Sequence, residues 1–357
     1  MKGRGVGLVF FLTAIAAAAE PDRGEWIRAA AEQAGCAEEL IVGPFFTVEE
    51  AARRKASVGQ PGVGLALSCA GGVCRIRHVY RGSPAAAAGL RRGTVIVSID
   101  DQATADMSEN LPPFFLCGPA DSVVVLGIRG ADDAMHKVEL KRGFTLQDAR
   151  RNQIEMIAAA GEGEPAVGVI RLAWFDEKQG EDFVRRGMYD LHARGAIGLV
   201  LDLRDCAGGH LGAMIDIAGL FLPVGAALFK QGLTAEKAEE ISAKAGILCD
   251  TKIALVALCG EGTEGPAELL IAALQEHKRA VVLGRRTPGS IVRKQAVTLP
   301  DGRVAYRLLG RYYTSGGRLI TEEGVAPDQM LAESLTDDEE LAIAVAALRA
   351  RCRAAKQ

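Results

Sequence analysis

The stretch Gly198-Leu-Val-Leu-Asp-Leu-Arg-Asp-Cys-Ala-Gly-Gly209 decides the reading of this chain. With Ile197 it begins as a short, uninterrupted apolar run, which suits a strand buried on both faces. The run breaks at Asp202-Leu203-Arg204, and Gly208-Gly209 follow. Two glycines just after a buried strand let the backbone approach another group closely and present its N–H groups. Such amides can stabilise the oxyanion of an acyl-transfer reaction, or simply close a tight turn.

Outward from this stretch, strands and helices alternate. Val167–Leu172, Ile253–Leu258 and Ala280–Gly284 read as strands, and Glu181–Arg194, Leu211–Leu222 and Leu269–His277 as helices. That alternation predicts an α/β core with several parallel strands. Phe183, Met188 and Leu191 mark the buried face of the first helix. Asp337–Lys356 reads as a terminal helix packing through Leu341, Ala342, Val345 and Leu348. Gln231–Gly246 is alanine-rich and charged, which predicts a solvated helix over 234–244 with Thr234 as its N-cap. Residues 21–55 read as helical, broken at Gly43-Pro44, with Thr47-Val48-Glu49-Glu50 as a capping box. Thr145 to Gly163 reads as a helix and linker, ending at the polar Glu162-Gly163-Glu164-Pro165.

The composition is globular: 357 residues, 49% hydrophobic and 24% charged, with a net charge of −3. No basic field points to nucleic acid. Met1 to Ala19 has a positive start, a short apolar core and a small-residue end, the pattern of a secretory signal peptide; an uncleaved anchor is the alternative. Eight cysteines in an exported chain permit disulfides. Cys69 and Cys74 flank Gly71-Gly72, a hairpin turn that places them opposite each other. No cysteine or histidine spacing suits a metal, and no cofactor motif occurs.

Asp202-Leu203-Arg204-Asp205-Cys206-Ala207-Gly208-Gly209 resembles the Asp-Leu-Arg-x-Asn-x-Gly-Gly signature of the carboxy-terminal processing peptidases, or tail-specific proteases. The resemblance extends through Leu299-Pro300-Asp301-Gly302, Gly310-Arg311-Tyr312-Tyr313-Thr314 and Gly324-Val325-Ala326-Pro327-Asp328. Residues 57–143 resemble a PDZ domain. Gly62-Val63-Gly64-Leu65 stands at its carboxylate-binding loop. The run from Gly82-Ser83-Pro84 to Ala88-Gly89-Leu90 matches its Gly-Ser-Pro-Ala pattern, although Thr94 replaces the usual Asp. The resemblance implies a protease core with parallel strands over 167–330, an inserted β-rich PDZ domain over 57–143, a helical N-terminal region over 20–56, a linker helix over 144–166 and a C-terminal helix over 331–357. It implies a periplasmic or lumenal setting.

The family's chemistry uses a serine nucleophile and a lysine base. The serine lies three residues before the Glu that opens a helix. Here that Glu is Glu268, so Gly265 holds the nucleophile position. The lysine ends a Thr-x-Gly-Lys turn. Here the turn is Thr287-Pro288-Gly289-Ser290, so Ser290 holds the base position. The supporting acidic position falls at Gln275-Glu276, and Gly208 and Gly209 stand at the oxyanion turn. Without a hydroxyl and an amine acting as a unit, no acyl-enzyme forms. The expectation is an inactive relative that binds polypeptide C-termini by β-augmentation at Gly62, Val63, Gly64 and Leu65. It would serve as adaptor, scaffold or regulator, with an active protease paralogue as one partner and a homo-oligomer as another possibility. The alternative is an active endopeptidase with a rearranged nucleophile, Cys206 or Thr263, the latter with Lys294 as base.

Overall fold

The computed structural model describes residues 22–130, 133–159, 164–244 and 253–354. The leader expected at 1–19 and Cys249 lie outside the described residues.

Gly198–Asp202 is buried at every position and sits in the middle of a six-stranded sheet. The order is Gln329–Met330, Val281–Gly284, Ala254–Cys259, Gly198–Asp202, Val167–Arg171, Gln153–Ile157. Every neighbouring pair is parallel except the last. A strand's side chains alternate between faces. Leu199 and Leu201 therefore pack against the helices Gly180–Ala193, Leu211–Ala218 and Pro266–Glu276. Val200 faces the other way, onto Leu341, Ala344, Val345 and Leu348 of the terminal helix Asp337–Ala354. Leu341, Val345 and Leu348 pack as expected, while Ala342 is exposed and Ala344 takes its place. Acidic residues in the first turn of that helix and arginines in its last complement its dipole.

The PDZ region is an antiparallel sheet in the order Leu65–Ala70, Val73–Val79, Val95–Ile99, Val123–Arg129, Met135–Lys141. Cys69 and Cys74 are direct cross-strand partners and form a disulfide. A further antiparallel sheet joins the N-terminal region to the core. Its long central strand Val304–Thr314 pairs with Ile41–Phe46, Arg293–Thr298 and Ala227–Gly232.

Three local expectations fail, each because tertiary pairing overrides propensity. The helix expected over 234–244 is a single turn at Ala235–Lys237 followed by the strand Glu239–Ser242, paired with Ala227–Gly232. There Ile241 and Ala243, two apart, turn inward onto the core. The helices do part around Gly43-Pro44, but the helical reading fails for the segment itself, which is the strand Ile41–Phe46 at the sheet edge, where a missing N–H is tolerated. The linker helix shrinks to Leu146–Ala149, and Gln153–Ile157 adds an antiparallel strand to the core. The capping box at Thr47 forms as expected: Glu50 N donates to Thr47 Oγ1 at 3.2 Å, and Thr47 N to Glu50 at 2.6 Å.

Candidate functional site

Gly265 is the N-cap of the helix Pro266–Glu276, with φ of 60°. Its N–H donates to Ser290 Oγ at 3.3 Å and to Glu268 Oε1 at 3.2 Å. The two positions that the resemblance pairs are thus neighbours in space. Glu268 organises the cluster. It is fully buried and accepts from Thr287 Oγ1 and Gly289 N at 2.6 Å, from Ser290 N at 2.8 Å and from Ser290 Oγ at 3.1 Å. Burial pushes its carboxyl above the ordinary value, and these donors only partly oppose the shift.

Gly208 closes the other side. A Cβ there would come within 3.0 Å of Glu264 O and of Pro266 Cδ, and 3.7 Å of Gly265 Cα. At Gly209 a Cβ would stand 2.5 Å from Phe175 O. The turn is stitched to Phe175, whose N–H donates to Gly208 O at 2.8 Å while His210 N donates to Phe175 O at 2.9 Å. Gly208, Gly265, Ser290 and Glu268 therefore share one spot at the ends of the parallel strands. Binding and catalytic sites of α/β sheets commonly form at strand ends.

Glu276 does not belong to this spot. It ends the helix that Gly265 begins, roughly 15 Å of helix away. Its carboxylate accepts from Ser315 Oγ and from Gly316 N at 3.1 Å. The carboxylate beside Gly265 and Ser290 is Glu268, one turn into the helix. Its sequence signal was its place opening the helix, three residues after Gly265.

The rearranged nucleophiles are not poised to react. Cys206 is fully buried, and burial pushes its thiol up to about 12. A protonated thiol is neither nucleophile nor good metal ligand. Thr263 Oγ1 donates to Leu203 O at 2.8 Å and accepts from Gly260 N at 2.9 Å, so its hydroxyl holds the turn. Lys294 lies on the strand Arg293–Thr298, its Nζ 4.5 Å from the Tyr306 ring centroid and 3.5 Å from Gly43 O. We expect iodoacetamide at about pH 8 to label partly exposed Cys36 and to spare Cys206 in the native protein, read by peptide mass mapping. Equal labelling rates would show that Cys206 is accessible.

In the PDZ region, Gly64 adopts φ of 77°, and a Cβ there would overlap Ser83 Cβ at 2.1 Å. The loop is pinned by Gly62 N to Phe144 O at 2.8 Å, Tyr80 N to Gly64 O at 3.0 Å and Ala85 N to Val63 O at 3.1 Å. The strand Leu65–Ala70 that leaves it is an edge strand, paired among the described residues only with Val73–Val79, and the turn Pro112–Phe115 packs near it.

Sequence reasoning missed the junction between the PDZ region and the core. Arg77 pairs with Glu264, the residue just before Gly265, and donates to Glu261 O at 3.1 Å; Arg92 pairs with Glu261 at 3.1 Å. His78 Nε2 lies 2.9 Å from Asp205 of the signature turn. Burial works to raise the Asp205 carboxyl, but His78 and the charges of Arg81 and Arg204 outweigh it and hold the group at about 2. Deeper in, Arg204 bonds Asp202 through Nε at 2.9 Å and Nη2 at 2.8 Å. It also reaches Glu340 of the terminal helix at 2.9 Å, and Arg285 pairs with the same Glu340. The Asp-Leu-Arg motif thus ties the central strand to the terminal helix.

Among the described residues, no group of three or more His, Cys, Asp or Glu side chains could hold a metal ion. No helix among them is long and apolar enough to cross a membrane.

Residues 166–331 match the model of peptidase family S41, and residues 75–129 match a PDZ domain model. Among curated relatives, a chloroplastic C-terminal processing peptidase of Tetradesmus obliquus is 32% identical over 79% of this chain and 62% of its own length. A carboxyl-terminal-processing protease of Synechocystis sp. is 31% identical over 73% of this chain and 59% of its own length. The chain therefore spans about three fifths of these two relatives. The solved structure of a photosystem II D1 C-terminal processing protease superposes with a TM-score of 0.66 at 29% identity, covering 85% of this chain and 81% of that one.

Proposed function

Since the chain carries a peptidase family S41 domain at residues 166–331 and a PDZ domain at 75–129, we propose that it is a catalytically inactive member that binds polypeptide C-termini. The carrying observation is the pairing of Gly265 with Ser290 at 3.3 Å. The spot that the family resemblance assigns to a nucleophile and a base holds no side chain and a bare hydroxyl. A serine hydroxyl is a poor proton acceptor near neutral pH, and glycine offers nothing to acylate. Buried Cys206 and hydrogen-bonded Thr263 supply no substitute.

What remains is a surface for peptide. The free edge of Leu65–Ala70 can take an extended segment as an added strand, and the amides of Val63, Gly64 and Leu65 are the donors for its terminal carboxylate. The chain then acts as an adaptor, scaffold or regulator, with an active peptidase of the same family as the natural partner. The leader at 1–19 and the Cys69–Cys74 disulfide support an exported, oxidising location.

The test is titration of peptides with apolar C-termini against their C-terminally amidated twins. Binding is expected for the free acid and lost on amidation. Gly64→Ala, which drives a methyl into Ser83, is expected to weaken binding at least about tenfold. Equal binding of acid and amide would remove the terminus from the recognition.

A further inference from the structure

A cavity of about 490 Å³ lies where the PDZ region, the following turn and the first core strand meet. Its size is that of a small-ligand site. Its charge is unbalanced: Arg81, Lys141, Arg142 and Arg151 line it against only Asp121 and Asp148, in a chain whose net charge is −3. Two of the cations are already committed. Lys141 pairs with Asp121 at 2.7 Å, and Arg142 donates to the carbonyls of Phe115 at 2.8 Å and Val123 at 3.0 Å. Asp148 in turn accepts from Thr145 N at 2.9 Å and Thr145 Oγ1 at 2.7 Å.

Arg81 and Arg151 form no ion pair with a carboxylate that lines the cleft. Arg151 is exposed, and its side chain makes no ion pair among the described residues. Arg81 is shared between two carboxylates of the core, pairing through Nε with Asp205 at 3.5 Å and donating through Nη2 to Asp337 at 3.3 Å, and its Nε is buried without a hydrogen-bond partner among the described residues. The Phe144 ring adds an apolar wall. Guanidinium groups present a planar fork that matches a carboxylate in bidentate fashion.

We propose that this cleft binds a carboxylate-bearing ligand between Arg81 and Arg151. The cleft adjoins the loop at 62–65 through Phe144, but its ligand is held by side chains rather than by the loop amides and does not depend on recognition of a chain terminus. Because Arg81 also contacts Asp205 and Asp337 of the core, a bound carboxylate competes with them for its guanidinium. Occupancy of the cleft therefore bears on how firmly the PDZ region is held to the signature turn.

The ligand's carboxylate can come from a small dicarboxylic acid or from acidic side chains of a polypeptide. Calorimetric titration of the full chain at about 20 mM salt, where charge interactions are little screened, uses two probes: succinate and an N-acetylated, C-amidated tri-glutamate. Saturable binding of either probe is expected, and which one saturates identifies the source. Arg81→Gln and Arg151→Gln are each expected to weaken it at least about tenfold. Arg53→Gln, outside the cavity, is expected to leave it unchanged. Arg151→Gln removes an exposed cation that makes no ion pair among the described residues, with only the Asp148 charge nearby, and guards against misfolding of the Arg81 variant. The proposal is overturned if neither probe saturates, or if both variants at Arg81 and Arg151 bind as the natural protein does. Amidated tri-glutamate has no free terminus, so its behaviour is independent of the peptide-terminus test.

Discussion

The Gly265→Ser/Ser290→Lys double variant is expected to cleave an unstructured protein substrate about 10³-fold or more faster than the natural chain, with neither single variant active. The scaffold around the pair is in place. A Cβ at Gly265 meets only Gly208 Cα, at 3.9 Å, so a serine side chain has room. Its cost is the left-handed backbone, about 1–3 kcal/mol for a residue other than glycine. A lysine at exposed position 290 replaces a hydroxyl that already lies 3.1 Å from Glu268 Oε1. That buried carboxylate anchors the ammonium and sets its direction. Activity should rise with pH as the lysine loses its proton and becomes a base. Pro266 removes one amide from the helix start, so the rate should stop short of a complete site. Gel-based cleavage of the natural chain, both singles and the double variant decides the matter. Cleavage by the natural chain that vanishes in Cys206→Ala or Thr263→Ala would overturn the inactive reading.

Glu340→Ala is expected to destabilise the fold by about 3–5 kcal/mol, the usual cost of stripping one partner from a buried ion pair. Glu340 is fully buried and serves two cations, Arg204 at 2.9 Å and Arg285. Arg204 is itself buried and held on its far side by Asp202. Removing Glu340 leaves one buried guanidinium short of a counter-charge and frees another at the turn after Val281–Gly284. Glu340→Gln, which keeps an acceptor for Arg204 but loses the charge, should cost less. Asp338→Ala, on the exposed side of the same helix, should shift stability by no more than about 0.5 kcal/mol. Urea unfolding midpoints of the three variants provide the check. A Glu340→Ala loss no larger than that of Asp338→Ala would mean that the network is not a clamp.

Local pattern was legible wherever one residue and its near neighbours settle the outcome. The continuous apolar run at 198–202 marks a strand buried on both faces, and its partner Ala254–Cys259 reads the same way. The hairpin at Gly71-Gly72 places Cys69 opposite Cys74, because a two-residue turn sets register directly. The family resemblance paired Gly265 with Ser290, and the fold sets Gly265 N 3.3 Å from Ser290 Oγ.

Other features were decided by residues far apart in the chain. The alanine-rich segment at 234–244 has the composition of a helix. It becomes a strand because Ala227–Gly232 offers an open edge and the core accepts Ile241 and Ala243. Motif position places the family's supporting carboxylate at Glu276, whereas the carboxylate beside Gly265 and Ser290 in space is Glu268, onto which the return of the chain at Thr287–Ser290 brings four donors. His78 and Asp205, or Arg81 and Arg151, carry no mutual signal in their neighbourhoods. By itself the sequence determined the core strands and the Cys69–Cys74 hairpin, since these follow from periodicity and turn chemistry, while the PDZ pattern and the expected nucleophile and base positions rested on the resemblance to a family. The tertiary structure alone decided which charges meet, since the energy of a buried or half-buried charge depends on the groups that folding brings within a few ångströms of it.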